Sequence, residues 1–242
     1  DMLPESVTGM LKNDKYQLLM VNSTYKVATD KVNKQIEQID KIMDKYDKGA
    51  MLVGEGPLTK DLINITDTDF KRVSAVSIGI VFVIILLLFK SVTIPVILVG
   101  VIEFAIFVNM GIPFYTGTKL PFVASIVIGT IQLGATVDYA ILMTTRYQRE
   151  RSRGAGKFDA ITTAHKFSAQ SIIVSALSFF AATIGVGLYS NIDMISSLCI
   201  LMARGALISM VVVVLILPSL FMVFDKIIVK TSKGFQPSGL KS

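Results

Sequence analysis

VSAVSIGIVFVIILLLF, the stretch of residues 73–89, carries no charged side chain. A run of this length and character is typical of a helix that crosses the hydrocarbon core of a membrane. Four more apolar runs follow it, at residues 94–112, 122–145, 171–189 and 195–224. The sequence therefore predicts a membrane all-α helical bundle with five transmembrane helices.

The overall composition agrees with a membrane protein. The chain has 242 residues, is 52% hydrophobic and only 17% charged, whereas soluble domains carry about a quarter charged residues. A soluble enzyme, a disordered chain and a nucleic-acid-binding domain are excluded. The single Cys199 and single His165 exclude an internal disulfide framework and most metal centres. Since no catalytic motif is present either, we expect neither an enzyme nor a bound cofactor.

The distribution of basic residues predicts the orientation of the chain. Residues 1–72 hold 11 basic and 12 acidic residues, so the net charge of +6 arises elsewhere. Most of the excess lies in residues 146–157 and in the tail after the last apolar run. Positive connections stay in the cytoplasm, which places residues 146–170 and the C-terminus there. With five spans, residues 1–72 are extracytoplasmic, and the protein is a multi-pass protein of the cell membrane.

The segment before the first span has the pattern of a small α/β unit. Residues 16–22 and 50–53 read as short strands, and residues 27–46 have helical spacing with Val32 and Ile36 on the apolar face. Thr29 or Asp30 is a suitable N-cap. The order β-α-β predicts a partial extracytoplasmic α/β domain that precedes the membrane bundle.

The chain thus divides into three predicted parts. Residues 1–72 form the C-terminal part of an extracytoplasmic porter-like α/β domain, residues 73–226 the five-helix transmembrane domain, and residues 227–242 a cytoplasmic tail. The first part contains no signal peptide that would carry it across the membrane. We therefore expect the chain to be part of a longer protein with an upstream membrane segment.

Asp138 is the clearest functional candidate because ionisable groups inside a membrane are costly. It lies within the third span and shares a small, polar helix stripe with Thr130 and Gly134, which are spaced four residues apart. A carboxylate in a low dielectric has a raised proton affinity and is able to carry a proton. Tyr139 adjoins it as a hydrogen-bond donor. The alternative is a permanently protonated Asp138 that only joins two helices.

Two further charged residues lie in the predicted spans. Glu103, near the middle of the second span, is either a second relay or substrate-path carboxylate or a group buried against a polar neighbour. Arg204, in the last span, either lies inside the bilayer with a partner or snorkels to the outer surface. The sequence leaves both alternatives open.

Small residues in the spans predict close helix packing. Gly134 belongs to the stripe with Asp138, and the fourth span has small residues at intervals of four and three. These are Ser171, Ser175, Ser178, Ala182 and Gly185. Static packing is one interpretation of this stripe, and sliding of a neighbouring helix along it is the other.

The segment Gly134-Ala135-Thr136-Val137-Asp138-Tyr139-Ala140 resembles the Gly-x-x-x-Asp-Tyr signature of the mycobacterial membrane protein large (MMPL) family of the resistance-nodulation-division (RND) superfamily. The resemblance covers roughly residues 50–226. It extends to residues 109–114, 146–150, 203–209 and 217–220.

The resemblance implies a transporter of twelve helices in two similar halves, of which this chain would supply the last five. It implies that Asp138 and Tyr139 match the second-half members of a proton relay whose other pair lies in the missing N-terminal half. The implied function is export of lipids or other hydrophobic compounds, driven by the proton gradient. Membrane lipids, the N-terminal half and a second copy of the protein are the expected partners.

Two other functions remain open at this stage. An accessory membrane protein of the SecD/SecF type would assist protein secretion and bind polypeptide. A non-transporting membrane scaffold would use Asp138 for structure alone.

Overall fold

A computed structural model describes residues 12, 16–118, 120–121, 123–232 and 235. The chain forms two compact units that are divided between Ile65 and Thr66. The described residues contain six α-helices, which we number α1 to α6 in chain order. They are Asp30–Tyr46, Glu55–Phe89, Thr93–Thr116, Ala124–Ser152, Lys157–Tyr189 and Asp193–Thr231.

In the N-terminal unit, α1 follows the amphipathic pattern of its sequence. Thr29 is the N-cap, and its hydroxyl accepts the backbone N–H of Val32 at 3.4 Å, which satisfies one of the free donors of the first turn. Val32 and Ile36 are the buried residues of this helix. The predicted helix and its cap are therefore confirmed, with a start slightly later than residue 27.

The two predicted strands of this unit are not supported, and the prediction of a β-α-β domain is wrong for the described residues. Residues 50–53 have no regular structure, and residues 16–22 contribute only an isolated antiparallel bridge between Gln17 and Lys12. A strand needs a neighbour to pair its N–H and C=O groups. No described segment of this unit offers such a neighbour.

The five predicted spans are confirmed as helices long and apolar enough to cross a membrane, namely α2 to α6. Each helix is longer than its apolar run because the polar flanks continue the helix. The helix α2 begins at Glu55, and α4 continues through the arginine-rich residues to Ser152. The boundary predicted at residue 72 lies inside α2, and the tail begins with the last turn of α6.

The helix α6 is central to the membrane unit, since it packs against α3, α4 and α5. Its buried face includes Val213, Leu217 and Phe221. In contrast, α2 buries only Ile85 and Phe89 near its C-terminal end. The membrane unit is thus a bundle built around its last helix.

The ends of α4 and α6 are joined by a cluster that we call the end clamp: Tyr147, Arg151, Phe221 and Asp225. Arg151 donates from Nε and Nη2 to the two carboxylate oxygens of Asp225, both at 3.0 Å. The hydroxyl of the fully buried Tyr147 donates to the same carboxylate. The Tyr147 ring stacks on Phe221 with centroids 5.0 Å apart. A buried carboxylate needs such bidentate pairing to offset its desolvation.

The turn between α2 and α3 lies at the same end of the unit as the clamp. Ser232, just after α6, donates to Ser91 at 2.5 Å, and the hydroxyls of Thr93 and Thr231 are 2.8 Å apart. The turn at residues 90–92, the connection at 153–156 and the C-terminal end of α6 therefore share one end. This end carries Lys90, the arginines of α4 and the lysines of α6.

The helices α5 and α6 approach closely at Gly187. The Oγ of Ser196 donates to the carbonyl of Gly187 at 2.6 Å. A Cβ on Gly187 would lie 2.9 Å from Cγ1 of Ile200 and 3.3 Å from its backbone nitrogen. The small residues predicted for packing, Ser171, Ser175, Ser178, Ala182 and Gly185, are instead exposed on the other side of α5. Their role in packing stays a prediction, and it concerns a partner other than the described residues.

Substitution of Gly187 tests this close approach. We expect Gly187→Ala to destabilise the membrane unit by about 1–3 kcal/mol, because the added methyl overlaps Ile200. Gly185→Ala is the matched control, since a Cβ there meets nothing within 4 Å. It should be neutral or stabilising by up to about 1 kcal/mol, because alanine favours helix. The readout is the unfolding midpoint of the purified protein in detergent. Equal midpoints for both variants would contradict the packing.

Candidate functional site

Asp138 lies on an exposed face of α4, in the middle of an apolar span. Gly134, one turn earlier, is also exposed, and nothing would lie within 4 Å of a Cβ there. Asp138 makes no hydrogen bond or ion pair with any described residue. Gly134 and Asp138 therefore share an outward-facing side of α4, whereas Thr130 is half-buried and lines a groove with residues of α2 and α3. The role of the stripe stays a prediction.

Tyr139 points to a different environment from its neighbour. Consecutive residues of a helix are about 100° apart around its axis, and Tyr139 is only 6% exposed. It lines a small cavity together with Gln132, Thr136 and Ser209. Among the described residues, Tyr139 does not donate to Asp138. Asp138 and Tyr139 are thus neighbours in sequence, but their side chains do not meet. The Asp138 side chain faces outward, and the Tyr139 side chain faces the bundle.

Glu103 is half-buried on α3 at the wall of a groove between α2, α3 and α4. The groove is lined mainly by apolar side chains, such as Phe70 and Phe107, with Ser77 and Ser125 among them. Glu103 forms no hydrogen bond or ion pair with another described residue. Polar side chains thus line the same groove without a hydrogen bond to Glu103, and both interpretations of this residue stay predictions.

Arg204 has its partner on α3. Its Nε donates to Oδ1 of Asn109, and its Nη2 donates to the backbone carbonyl of Asn109, both at 2.8 Å. Asn109 itself is fully buried. Arg204 therefore has a hydrogen-bonding partner within the bundle, as the first of the two alternatives requires, while its depth in the membrane stays a prediction.

The same asparagine begins a buried array of hydrogen bonds that we call the three-helix network: Asn109, Gln132, Thr136, Arg204 and Ser209. Nδ2 of Asn109 donates to Oε1 of Gln132 at 2.8 Å and to the carbonyl of Leu201 at 3.2 Å. Nε2 of Gln132 donates to Oγ of Ser209 at 3.0 Å. The network thereby connects α3, α4 and α6.

Hydroxyl groups complete the network on the side of Tyr139. Oγ1 of Thr136 lies 2.7 Å from the carbonyl of Gln132 and 2.8 Å from Oγ of Ser209. A hydroxyl has one hydrogen and two lone pairs, so it can serve both contacts only by donating in one and accepting in the other. Satisfied polar groups in a low dielectric rigidify the helices that carry them.

Gly205 has no side chain, and the side chains of Asn109 and Gln132 occupy the space beside it. A Cβ at this position would lie 2.7 Å from Nδ2 of Asn109 and 2.7 Å from Oε1 of Gln132. Both atoms belong to side chains held by their own hydrogen bonds. Any larger residue at position 205 would have to displace the Asn109–Gln132 hydrogen bond, so this glycine is required by close approach.

The chemistry available at this site is that of hydrogen bonding and of one isolated carboxylate. The described residues contain no group of histidine, cysteine or carboxylate side chains able to hold a metal ion. The network contains one formal charge, that of Arg204. Gln132 and Asp138 are on the same helix, separated by about 9 Å of helical rise. One face of α4 is therefore attached to its neighbours by the network, and another face carries the carboxylate of Asp138.

Sequence reasoning missed Asn109, Gln132 and Ser209 because it considered only the charged residues within the spans. The signal was present, since an amide side chain within an apolar run needs a hydrogen-bond partner as a carboxylate does. It also missed Asp225, which it placed at the edge of the last span. The partners of these residues are far away in sequence, and only the packing brings them together.

The sequence model of the MMPL family matches residues 7–236 of the chain. Membrane protein YdgH of Bacillus subtilis is 25% identical over 186 residues, which cover 73% of this chain and 20% of that protein. Membrane protein SCO0839 of Streptomyces coelicolor is 28% identical over 118 residues, which cover 47% of this chain and 16% of that protein. The chain thus spans a fifth or less of the length of these relatives.

A double-mutant cycle tests the contact between Asn109 and Arg204. Asn109→Ala should destabilise the protein by about 1–3 kcal/mol, because it leaves buried donors and acceptors unpaired. Combined with Arg204→Met, the two changes should be non-additive by about 0.5–3 kcal/mol. Thermal unfolding in detergent is the readout. The control cycle replaces Arg204→Met with Lys230→Met, an exposed cation of the same helix, and should be additive. Additivity in both cycles would contradict the network.

Proposed function

The chain belongs to the MMPL family of the RND superfamily, and from this premise we propose that it is the membrane part of a proton-driven exporter. The proposed cargo is a lipid or another hydrophobic or amphipathic compound. One observation carries the proposal: Asp138 is a carboxylate without a partner among the described residues, on the outer face of a helix long and apolar enough to cross a membrane.

A charged carboxylate on this face is costly if it meets lipid. Placing an aspartate at the centre of a membrane helix costs about 2.5–3.5 kcal/mol on insertion scales. The cost is smaller if the face meets polar groups of other protein or a hydrated cavity. We therefore propose that the face with Gly134 and Asp138 packs against the N-terminal half of the same protein, as the family resemblance implies.

Protonation of Asp138 is the proposed energy input. The charged form favours a hydrated arrangement of its surroundings, and the neutral form favours a dry, closely packed one. A proton drives movement only if the two arrangements differ in their proton affinity. The three-helix network supports such coupling, because it fixes α4 to α3 and α6, and a change at Asp138 then acts on the three helices together.

The other polar positions have distinct proposed roles. Tyr139 lines the cavity beside the network, where it provides a hydroxyl for water on the path of the proton. Glu103 contributes a carboxylate to the groove between α2, α3 and α4, and Arg204 anchors α6 to α3. The exposed residues Ser171 and Ser175, with the rest of their stripe, form a second packing surface for the remainder of the protein.

The orientation belongs to the same proposal. All basic connections of the membrane unit that the structure describes lie at the clamp end. By the positive-inside rule this end faces the cytoplasm of the cell membrane. In this proposal protons enter from the extracytoplasmic side of the membrane.

Asp138→Asn in the whole protein tests the proposal. The whole protein is reconstituted in vesicles, and proton flux is measured with an internal pH dye after a pH gradient is imposed. We expect Asp138→Asn to reduce cargo-dependent proton flux by roughly a hundredfold or more, because asparagine cannot exchange a proton and each tenfold loss corresponds to about 1.4 kcal/mol. Asp193→Asn is the matched control, since it removes an exposed carboxylate at the start of α6, and its flux should be unchanged.

The other functions predict different outcomes. Full proton flux in Asp138→Asn would reject the relay. Absence of flux in the unchanged protein, with normal folding, would favour a scaffold. Proton flux that requires an unfolded polypeptide as cargo, and no lipid, would favour an accessory protein of secretion.

A further inference from the structure

A hollow of about 270 Å³ lies between α4 and α5 at the clamp end of the membrane unit. Arginine side chains dominate its wall, and a hydroxyl and an aromatic ring complete it. The lining residues are Arg146, Arg149, Glu150, Arg153, Thr163, Ala164 and Phe167. A water molecule occupies about 30 Å³ in the liquid, so the hollow has room for a group of several heavy atoms.

The positive charge of this hollow is largely uncompensated. Arg153 pairs with Glu150 at 2.9 Å. The guanidinium groups of Arg146 and Arg149 make no hydrogen bond or ion pair with the described residues. Because the Glu150 carboxylate in this hollow pairs with Arg153, two positive charges and their N–H donors line the same surface without an ion-pair partner among the described residues.

The sequence block that contains these residues has two separate roles in the structure. Arg151 turns toward α6 and binds Asp225 in the end clamp, where it is only 18% exposed. Arg146, Arg149 and Arg153 follow spacings of three and four, which place them together on another face of α4. In this second group Arg153 pairs with Glu150, whereas Arg146 and Arg149 have no counter-ion among the described residues.

The position of the hollow relative to the membrane indicates which kind of anion fits it. Arg146 is the first charged residue after the apolar part of α4, so the hollow begins where the hydrocarbon core ends. Phe167, on its rim, is 60% exposed, and an exposed aromatic ring is favourable at the membrane interface. A ligand here meets cations at the level of the headgroups and apolar atoms directly below.

We propose that this hollow is a binding site for the phosphate of an anionic phospholipid. The guanidinium forks of Arg146 and Arg149 bind the phosphate oxygens. The hydroxyl of Thr163 donates to the same group, and Phe167 packs against the glycerol region. The proposal rests on the membrane placement of α4 and α5 and does not depend on proton coupling at Asp138.

The test measures which lipids the whole protein retains. The protein is purified in detergent with equal amounts of phosphatidylglycerol and phosphatidylcholine, and the bound lipids are counted by native mass spectrometry. Arg146→Gln with Arg149→Gln should reduce bound phosphatidylglycerol roughly tenfold or more, since each basic group near a lipid headgroup contributes to binding. Phosphatidylcholine should remain at its low level.

A matched control separates a built site from general surface charge. Lys157→Gln with Lys166→Gln removes the same charge from the neighbouring part of α5, outside the hollow. It should leave phosphatidylglycerol retention within about twofold, because diffuse electrostatic attraction is weak at physiological salt. A second variant, Thr163→Glu, keeps every arginine and places a carboxylate in the hollow. It should also release phosphatidylglycerol.

The outcomes that overturn the proposal are equally concrete. Equal losses in the arginine and lysine pairs would show diffuse charge only. Full retention in both the arginine pair and Thr163→Glu would show that the lipid binds elsewhere. Displacement of the lipid by an equal concentration of inorganic phosphate would show a site for free phosphate. Equal retention of phosphatidylcholine would show that the headgroup charge is not recognised.

Discussion

The packing of the membrane unit depends on the hydrogen bonds made by the side-chain amide of Asn109. Its oxygen accepts from Arg204, and its nitrogen donates to Gln132 and to the backbone of α6. Inside a membrane no water replaces a lost partner, so each of these groups requires the others. The helices α3, α4 and α6 are consequently held in one register, and Gly205 provides the space in which they meet.

Polar or small side chains also lie on three outer surfaces of the membrane unit. Asp138 and the small residues of α5 face outward within the membrane, and Arg146 and Arg149 face outward at its edge. Helices joined by buried hydrogen bonds, with polar and small residues on their outer faces, are the arrangement expected of a part that contacts other components. The three faces differ in chemistry, and the proposals above give each a different neighbour: the rest of the protein at the protonatable Asp138, a closely packed helix at α5 and an anionic headgroup at the arginines.

Much of the membrane architecture could be predicted from sequence, because an apolar run fixes its own helix without help from distant residues. The five spans and the cap at Thr29 follow such local rules. The two predicted strands before them did not form. A strand needs a second segment to pair with, whereas a helix forms its backbone hydrogen bonds within one segment. For the same reason the network was missed, although Asn109 and Gln132 are visible as amides in apolar runs. Gln132 donates to Gly205 and Ser209, which lie more than seventy positions further along the chain, so the local sequence does not reveal these partners.

The contacts of α6 also set an order of assembly. Membrane helices enter the bilayer one after another and associate afterwards. During synthesis, Asn109 and Gln132 are in the membrane before Arg204 and Ser209 have been made. Tyr147 and Arg151 likewise precede Asp225. The earlier helices thus lack some of their hydrogen-bond partners until the last helix inserts. Its insertion supplies the missing partners of the three-helix network and of the end clamp together. A chain that stopped before α6 would expose these groups to lipid, which gives quality-control factors a chemical means of recognising it.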